Sequence, residues 1–298
     1  MTPAHQLTLN LSGRLVSLEK PLVMGIVNVT PDSFFAGSRI DGAKALRARL
    51  DTLVREGAAL ADLGAYSSRA GAEEVSPEEE RRRLRPALQI LRDEYPDLPV
   101  SVDTFRSDVA RMAVEEYGAS MINDISGGGL DPAMYRTMAE LQVPYILMHM
   151  KGDPKTMQQQ ASYSDVTLEV IDYFAQRVGQ LLELGVHDII LDPGFGFSKT
   201  TAQNYELLAQ LGSLVEAFTQ PLLVGVSRKS MIYRPLRITP EEALSGTTFV
   251  HALALERGAK ILRVHDMRPA VEAVQLYEEL RPFLRSDGAL HYLHLRPL

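Results

Sequence analysis

The chain has 298 residues, 45% hydrophobic and 23% charged, with a formal net charge of −7 at pH 7. That length holds one large domain or two modest ones, and the negative balance excludes a molecule built as a whole to lie on nucleic acid or an anionic membrane. It contains no cysteine, which removes disulfides, thiolate nucleophiles and cysteine-ligated zinc together.

Leu7 to Leu18 alternates apolar and polar residues around Ser12-Gly13, the pattern of a small β-hairpin, and residues 1–19 are expected to cap the underside of a larger body. From Pro21 a unit repeats: a short apolar run, a polar loop, then a segment of helical period. The apolar runs are Pro21–Val27, Ala59–Gly64, Leu98–Val102, Ser120–Ile122, Val143–Met148, Asp188–Leu191, Pro221–Val226 and Lys260–Val264. Ser76-Pro-Glu-Glu79 and Thr239-Pro-Glu-Glu242 read as capping boxes with proline at the first helical position, and Asp131-Pro132 as a similar start. Leu168 to Leu184 carries an apolar stripe at 168, 171, 174, 178, 181 and 182. Gly57, Gly118, Gly185 and Gly258 stand where helices should stop.

Eight buried strands alternating with helices predict an α/β fold with a parallel sheet. Their number, over about 250 residues, favours a (β/α)8 TIM barrel with an N-terminal β-hairpin over an open doubly wound sheet. No Gly-x-Gly-x-x-Gly follows the first strand, against a dinucleotide-binding half. With no linker in view, residues 1–298 are expected to form one domain, 285–298 being a tail. No apolar run approaches the roughly 20 residues of a membrane span, and Met1 to Leu18 lacks a signal-peptide core. A cytoplasmic protein without membrane or nucleic-acid partners is expected.

In such a barrel the C-terminal ends of the strands converge on one mouth. In strand order those ends carry Asn28, Ser67-Ser68-Arg69, Asp103, Asn123-Asp124, His149, Asp192, Ser227-Arg228-Lys229, Arg263 and His265-Asp266. Each alone could cap a loop; together they read as a site. Arg69, Arg263 and His265 suit phosphate oxygens. Asp103, Asn123, Asp192 and Lys229 alternate acceptors and donors, as a flat heterocycle with an amino-pyrimidinone edge requires. Asn28 offers a hard oxygen to Mg²⁺. The unaided reading is an enzyme that binds a polar heterocycle beside a phosphate or pyrophosphate.

Other patterns weigh less. Asp192 to Thr200 ends like a phosphate-binding loop, but Pro193 and Ser198 stand where that motif needs glycine. Lys229, with Arg228 to lower its pKa, could serve as a Schiff-base lysine, which leaves the donor and acceptor set without a role. His291 and His294 have no third ligand nearby. Gly127-Gly-Gly129 reads as a flexible loop. Arg81-Arg-Arg83 after Glu78–Glu80 reads as a self-paired solvated face.

The strand-end stretches resemble the dihydropteroate synthase family. They are Met24-Gly-Ile-Val-Asn-Val-Thr-Pro-Asp-Ser-Phe34, Asp62-Leu-Gly-Ala-Tyr-Ser-Ser-Arg-Ala-Gly-Ala72, Ser101-Val-Asp-Thr104, Ile122-Asn-Asp-Ile125, Leu191-Asp-Pro-Gly-Phe-Gly-Phe197, Gly225-Val-Ser-Arg-Lys-Ser230 and Arg263-Val-His-Asp266. The resemblance implies a barrel that condenses 6-hydroxymethyl-7,8-dihydropterin pyrophosphate with p-aminobenzoate, releasing pyrophosphate. It implies pterin contacts from Asp103, Asn123, Asp192 and Lys229, with Met148 and Arg263 over the ring faces. Asn28 with Mg²⁺, Arg69, Arg263 and His265 would meet pyrophosphate; Ser68, Phe197, Lys229 and Ser230 would meet p-aminobenzoate, the substrate that sulfonamides mimic. Asp103, Lys229, Arg263 and Asn28 would carry the chemistry, and a homodimer through the last helices is implied.

Two positions depart from the family's pattern. Ala70 replaces a common proline and loses its fixed φ, so the second loop is expected to be looser. Ser198 replaces a common glycine. Both lie near the implied p-aminobenzoate site. Val29 to Arg39 is expected to close as a lid, with Thr30, Asp32 and Phe34 functional when closed. Two alternatives stay open: a corrinoid-linked pterin methyltransferase, which needs no pyrophosphate cations, and a non-catalytic pterin-binding protein.

Overall fold

The computed structural model describes residues 8–29, 39–66 and 75–284. The element order is β1 (Thr8–Leu11), β2 (Arg14–Ser17), β3 (Leu22–Asn28), α1 (Arg39–Arg55), β4 (Leu60–Gly64), α2 (Pro77–Glu94), β5 (Val100–Asp103), α3 (Ser107–Tyr117), β6 (Met121–Asp124) and α4 (Met134–Leu141). There follow β7 (Tyr145–Met148), α5 (Val166–Glu183), β8 (Ile189–Asp192), α6 (Thr201–Ala209), α7 (Leu211–Ala217), β9 (Leu223–Val224), α8 (Ser230–Leu236), α9 (Leu244–Glu256), β10 (Ile261–Val264) and α10 (Met267–Leu280).

Eight parallel strands run in the order β8-β7-β6-β5-β4-β3-β10-β9. A single parallel bridge between Leu191 and Leu222 brings the two ends of the sheet together, so the barrel closes. All eight expected runs are strands, several displaced a residue or two toward the C-terminus. The displacement has a reason: Asn28, Asp103, Asn123 and Asp192 are ladder residues, although their polarity reads as the end of a strand.

Side chains alternate across each strand, and the two parities face different surroundings. Val27, Leu63, Val102, Ile122, Leu147, Leu191 and Val264 pack outward against the helices in the main core. The opposite parity fills the barrel. At its base Met24, Leu60, Met121, Ile146, Ile190, Leu223 and Ile261 form a second cluster with Leu9, Leu11 and Leu18 of the N-terminal hairpin. The antiparallel hairpin β1–β2 therefore plugs the bottom of the barrel, as its alternation implies. The far end is left to polar side chains.

The helix signals held in part. Ser76 caps α2, accepting from Glu79 N at 3.2 Å, with Pro77 at the first position. Gly118 ends α3 in the left-handed region at φ 73, which glycine enters without a Cβ clash. Thr239-Pro-Glu-Glu242 makes the return bond of a capping box, Thr239 N donating to Glu242 Oε2 at 2.9 Å, but closes a turn, and α9 starts only at Leu244. The Pro240 and Glu241 carbonyls accept from Arg228 at 3.0 and 2.8 Å, so they are drawn away from a helical ladder. Asp131 caps two places at once, accepting from Ser107 N and Ala133 N, and α4 begins later than expected, at Met134. The buried face of α5 is 166, 167, 170, 174, 178 and 181; Leu168 and Leu182 point to solvent at 58% and 42% exposure. Gly127–Gly129 is a packed turn, not a flexible loop. Asp124 accepts from Ser126 N and Gly128 N there, and a Cβ on Gly127 would lie 2.2 Å from the Tyr173 hydroxyl.

No helix among the described residues is long and apolar enough to cross a membrane. The plug generates a stability prediction. Leu9 is fully buried at the end away from the polar mouth, so Leu9→Ala should cost about 2–5 kcal/mol in urea unfolding and leave turnover unchanged. An unchanged unfolding midpoint would contradict the plug.

Candidate active site

Two residues above the apolar base, the inward parity becomes polar: Asp62 on β4, Asn123 on β6, Asp192 on β8 and Arg263 on β10, with Asn28 and Asp103 closing β3 and β5. Their side chains meet: Arg263 bonds both Asp62 and Asp103, and Asn123, opposite Asp103 in the ladder, bonds Asp62.

Arg263 is at the centre. Its Nε donates to Asp62 Oδ2 at 2.6 Å and its Nη2 to Asp103 Oδ2 at 2.8 Å. Asp62 is wholly buried and also accepts from Asn123 Nδ2 at 3.1 Å. A buried carboxylate is tolerable only when paired and hydrogen-bonded, and these contacts satisfy one oxygen of it. The other, Oδ1, has no partner among the described residues. Asp62 was missed as a site residue because it interrupts an apolar run from within. Its parity with Leu60 was the available signal. Burial raises the Asp103 carboxyl, Arg263 opposing and Asp62 reinforcing.

Across the mouth stand Asp192 and Lys229. Asp192 accepts from Gly194 N at 2.8 Å, and burial raises its carboxyl against the pull of Lys229. Lys229 donates to the Phe195 carbonyl and lies 4.6 Å from the centre of the Phe197 ring. Burial brings its ammonium down to about 8, Asp192 opposing and Arg263 reinforcing. Arg228, expected to be the perturbing cation, is turned away: Asp266 takes it in two bonds of 2.7 and 2.8 Å. A Cβ on Gly225 would lie 3.9 Å from Asp192 Oδ2 and 4.0 Å from Lys229 Nζ, so that glycine sits between the two groups.

Asn28 flanks Asp103. A Cβ on Gly64 would lie 3.4 Å from Asp103 Cβ and 3.8 Å from Asn28 Oδ1. Met148 joins Ile125, Met150 and Met157 in an apolar patch at the mouth, with Phe105 and Phe197 against it. Ser230 opens α8 beside Lys229. His265 follows β10, its Nδ1 3.1 Å from Ser227 Oγ. Burial, with Arg263 beside it, holds the imidazole down at about 4, so it is a neutral hydrogen-bonding group in the ligand-free protein rather than the expected cation.

Two strand-end residues do not join the set. Asp124 has the outward parity, is fully buried, and accepts from the Tyr145 hydroxyl at 2.7 Å. His149 is buried behind the mouth, its Nδ1 2.9 Å from Lys199 Nζ. Thr30, Asp32 and Phe34 of the expected lid, and Ser68 and Arg69 of the second loop, lie outside the described residues, as does the 285–298 tail. The run Arg81–Arg83 pairs with Glu78 and Glu79 as expected, but Glu80 leaves that solvated face: it is buried and pairs with Arg106.

A family model described as pterin binding enzyme matches residues 24–265. A dihydropteroate synthase of Escherichia coli is 42% identical over 272 residues, covering 89% of this chain and 94% of that one. The chain belongs to the dihydropteroate synthase family. A Xanthomonas albilineans dihydropteroate synthase solved with 4-aminobenzoic acid superimposes with a TM-score of 0.84 at 40% identity, covering 92% of this chain and 98% of that one. A Yersinia pestis dihydropteroate synthase in complex with a sulfonamide drug gives a TM-score of 0.85 at 37% identity, over 92% and 99%. The family match takes in the strand-end residues from Asn28 to His265.

A neutral His265 makes a pH prediction. In the unfolded chain the ring takes up a proton near 6.5; in the folded protein it does so only near 4. The stability it contributes is therefore complete above pH 6.5 and lost as the pH falls toward 4. The unfolding free energy of wild type minus that of His265→Gln should decline across that interval. A difference independent of pH would contradict the neutral ring.

Proposed function

We propose that the protein is a transferase of folate synthesis that condenses 6-hydroxymethyl-7,8-dihydropterin pyrophosphate with p-aminobenzoate, forming 7,8-dihydropteroate and pyrophosphate. The observation that carries this reading is the mouth itself. Asp103, Asn123, Asp192 and Lys229 present alternating acceptors and donors at one level, and Arg263 is pinned between two carboxylates beside them. A flat amino-pyrimidinone fits that edge, with the Met148 patch against one ring face and the held guanidinium over the other. Lys229, Phe197 and Ser230 would receive p-aminobenzoate, together with Ser68. Asn28, Arg263 and His265 would face the pyrophosphate, together with Arg69.

In the reaction the bond from the pterin methylene to the pyrophosphate oxygen breaks, and its electron pair leaves with the pyrophosphate. Arg263 and a hydrogen bond from neutral His265 stabilise that charge, while Asp103 faces the cation developing on the pterin side. The amine of p-aminobenzoate, unprotonated at neutral pH, then forms the carbon–nitrogen bond and releases its proton to solvent. No side chain is needed as general base.

Magnesium fits one position. Among the described residues no group of three His, Asp or Glu is arranged to hold a metal, so an ion would take most of its ligands from pyrophosphate and water, the usual arrangement for Mg²⁺. Asn28 Oδ1 is a hard neutral oxygen at the mouth with no donor among the described residues. When bound there, the ion would supply positive charge to the leaving oxygens.

Two further features belong to the reading. Phe249 and Leu253 on α9, and Leu276, Leu280 and Phe283 on and after α10, leave an exposed apolar face on two helices that pack together. Such a face suits a second copy of the chain, and a homodimer is proposed. A cytoplasmic location is proposed because a pyrophosphate ester does not cross membranes unaided.

The decisive assay is pyrophosphate release from the two substrates with Mg²⁺. Wild type should turn over, and Asp192→Ala and Lys229→Ala should lose pterin binding by calorimetry. Pterin binding without pyrophosphate release would favour a non-catalytic protein, and methyl transfer from a methylated pterin would favour the corrinoid-linked alternative. Sedimentation should show a dimer that Phe249→Glu with Leu276→Glu converts to a monomer; a wild-type monomer would remove the proposed interface.

A further inference from the structure

Lys199 is buried, at 3% exposure, and the reaction above gives it no task. It ends the 193–198 loop after β8. An ammonium has three donors, and this one meets three acceptors: His149 Nδ1 at 2.9 Å, Gly194 O at 3.1 Å and Phe197 O at 3.2 Å. No carboxylate lies within salt-bridge distance of it among the described residues, so the counter-charge of Asp192 acts on it only from farther away. Burial brings the group down to about 7, with Asp192 opposing. What the lysine achieves is local: it draws two carbonyls of one loop toward a single point. His149, its third partner, stands edge-on to Tyr173 at 4.8 Å, and the Tyr173 hydroxyl donates to Met148 O at 3.0 Å.

The preceding residue adds a second fastening. Ser198 is fully buried with φ +47, a left-handed conformation that costs a non-glycine residue. Its hydroxyl accepts from Lys151 N at 2.9 Å and lies 3.2 Å from the Tyr163 hydroxyl, tying the loop after β8 to the loop after β7. A glycine would be unstrained there and would make neither bond.

The pinned loop carries Phe195 and Phe197, and both touch Lys229. Phe195 accepts from its ammonium, and the Phe197 ring lies against it. Between them a Cβ on Gly196, at φ +82, would lie 3.1 Å from Lys229 Cδ. Slack in the loop would shift Phe197 and its contact with Lys229 together. Of the four proposed pterin contacts, Asp103, Asn123 and Asp192 are instead held on strands, and only Lys229 follows the loop.

We propose that Lys199, clipped in place by Ser198, is a positioning residue for the p-aminobenzoate site: it fixes the loop that holds Phe197 against Lys229 and so sets affinity for the amine substrate more than for the pterin. This rests on the reaction proposed above.

The test is steady-state pyrophosphate release by wild type, Lys199→Met and Ser198→Gly, with circular dichroism to establish folding. Lys199→Met should raise KM for p-aminobenzoate about tenfold or more and KM for the pterin pyrophosphate less than about threefold. Ser198→Gly should show the same split at about threefold. Two KM values that rise together, or neither rising, in folded Lys199→Met would overturn the assignment. Should that variant not fold, an unchanged p-aminobenzoate KM in Ser198→Gly would overturn it. A wild type that releases no pyrophosphate would overturn the reaction and this assignment with it, whereas an active wild type with unsplit variants overturns only the assignment.

Discussion

The mouth of this barrel depends on one buried ion pair, Arg263 with Asp62. Asp62 has no exposed surface, and its charge is held by a guanidinium nitrogen 2.6 Å away. Asn123 binds the same carboxylate and Asp103 binds the same guanidinium, so side chains from β4, β5, β6 and β10 are tied at one level. Removing a partner from such a pair costs roughly 3–5 kcal/mol because the other charge is stranded. A rigid, dry mouth is the return on that risk: its donors and acceptors are already aimed before a substrate arrives.

The same desolvation explains the charge states. Burial raises the carboxyls of Asp103 and Asp192 and lowers Lys229 and His265, in each case disfavouring the charged form. Among the described residues the mouth sets the carboxylates of Asp62, Asp103 and Asp192 against the cations of Arg263 and Lys229. That balance favours a substrate on which positive charge develops as an anionic leaving group departs. The apolar half of the site, Met148 with its neighbours and Phe197, supplies flat contact area beside this field. Helices and hairpin serve the mouth indirectly, by closing the barrel and filling its base.

Much of this was legible beforehand. Strand number, alternation with helices, the hairpin plug and the convergence of polar strand ends all follow from periodicity. The errors of facing share one cause: a position at a strand end says which end of the barrel a residue occupies, not which way it points. Counting by twos from Leu60 puts Asp62 inside, and counting from Met121 puts Asn123 inside and Asp124 outside. His149 and Lys199 escaped for another reason. Their partnership joins loops that follow different strands, and local pattern does not encode it. Arg228 beside Lys229 looked like the natural perturbing charge, yet Asp266, far along the chain, claims it. Long-range pairing decides such cases, as it does at the Thr239 turn, where Arg228 holds the Pro240 and Glu241 carbonyls.

Asp62 and Arg263, joined by a 2.6 Å bond, form one unit at the proposed pterin site. A double-mutant cycle tests it most directly: pterin pyrophosphate affinity by calorimetry in wild type, Asp62→Asn, Arg263→Met and the double variant. Strong non-additivity is expected, with the double variant binding little worse than Arg263→Met alone. Losses that simply add would contradict it.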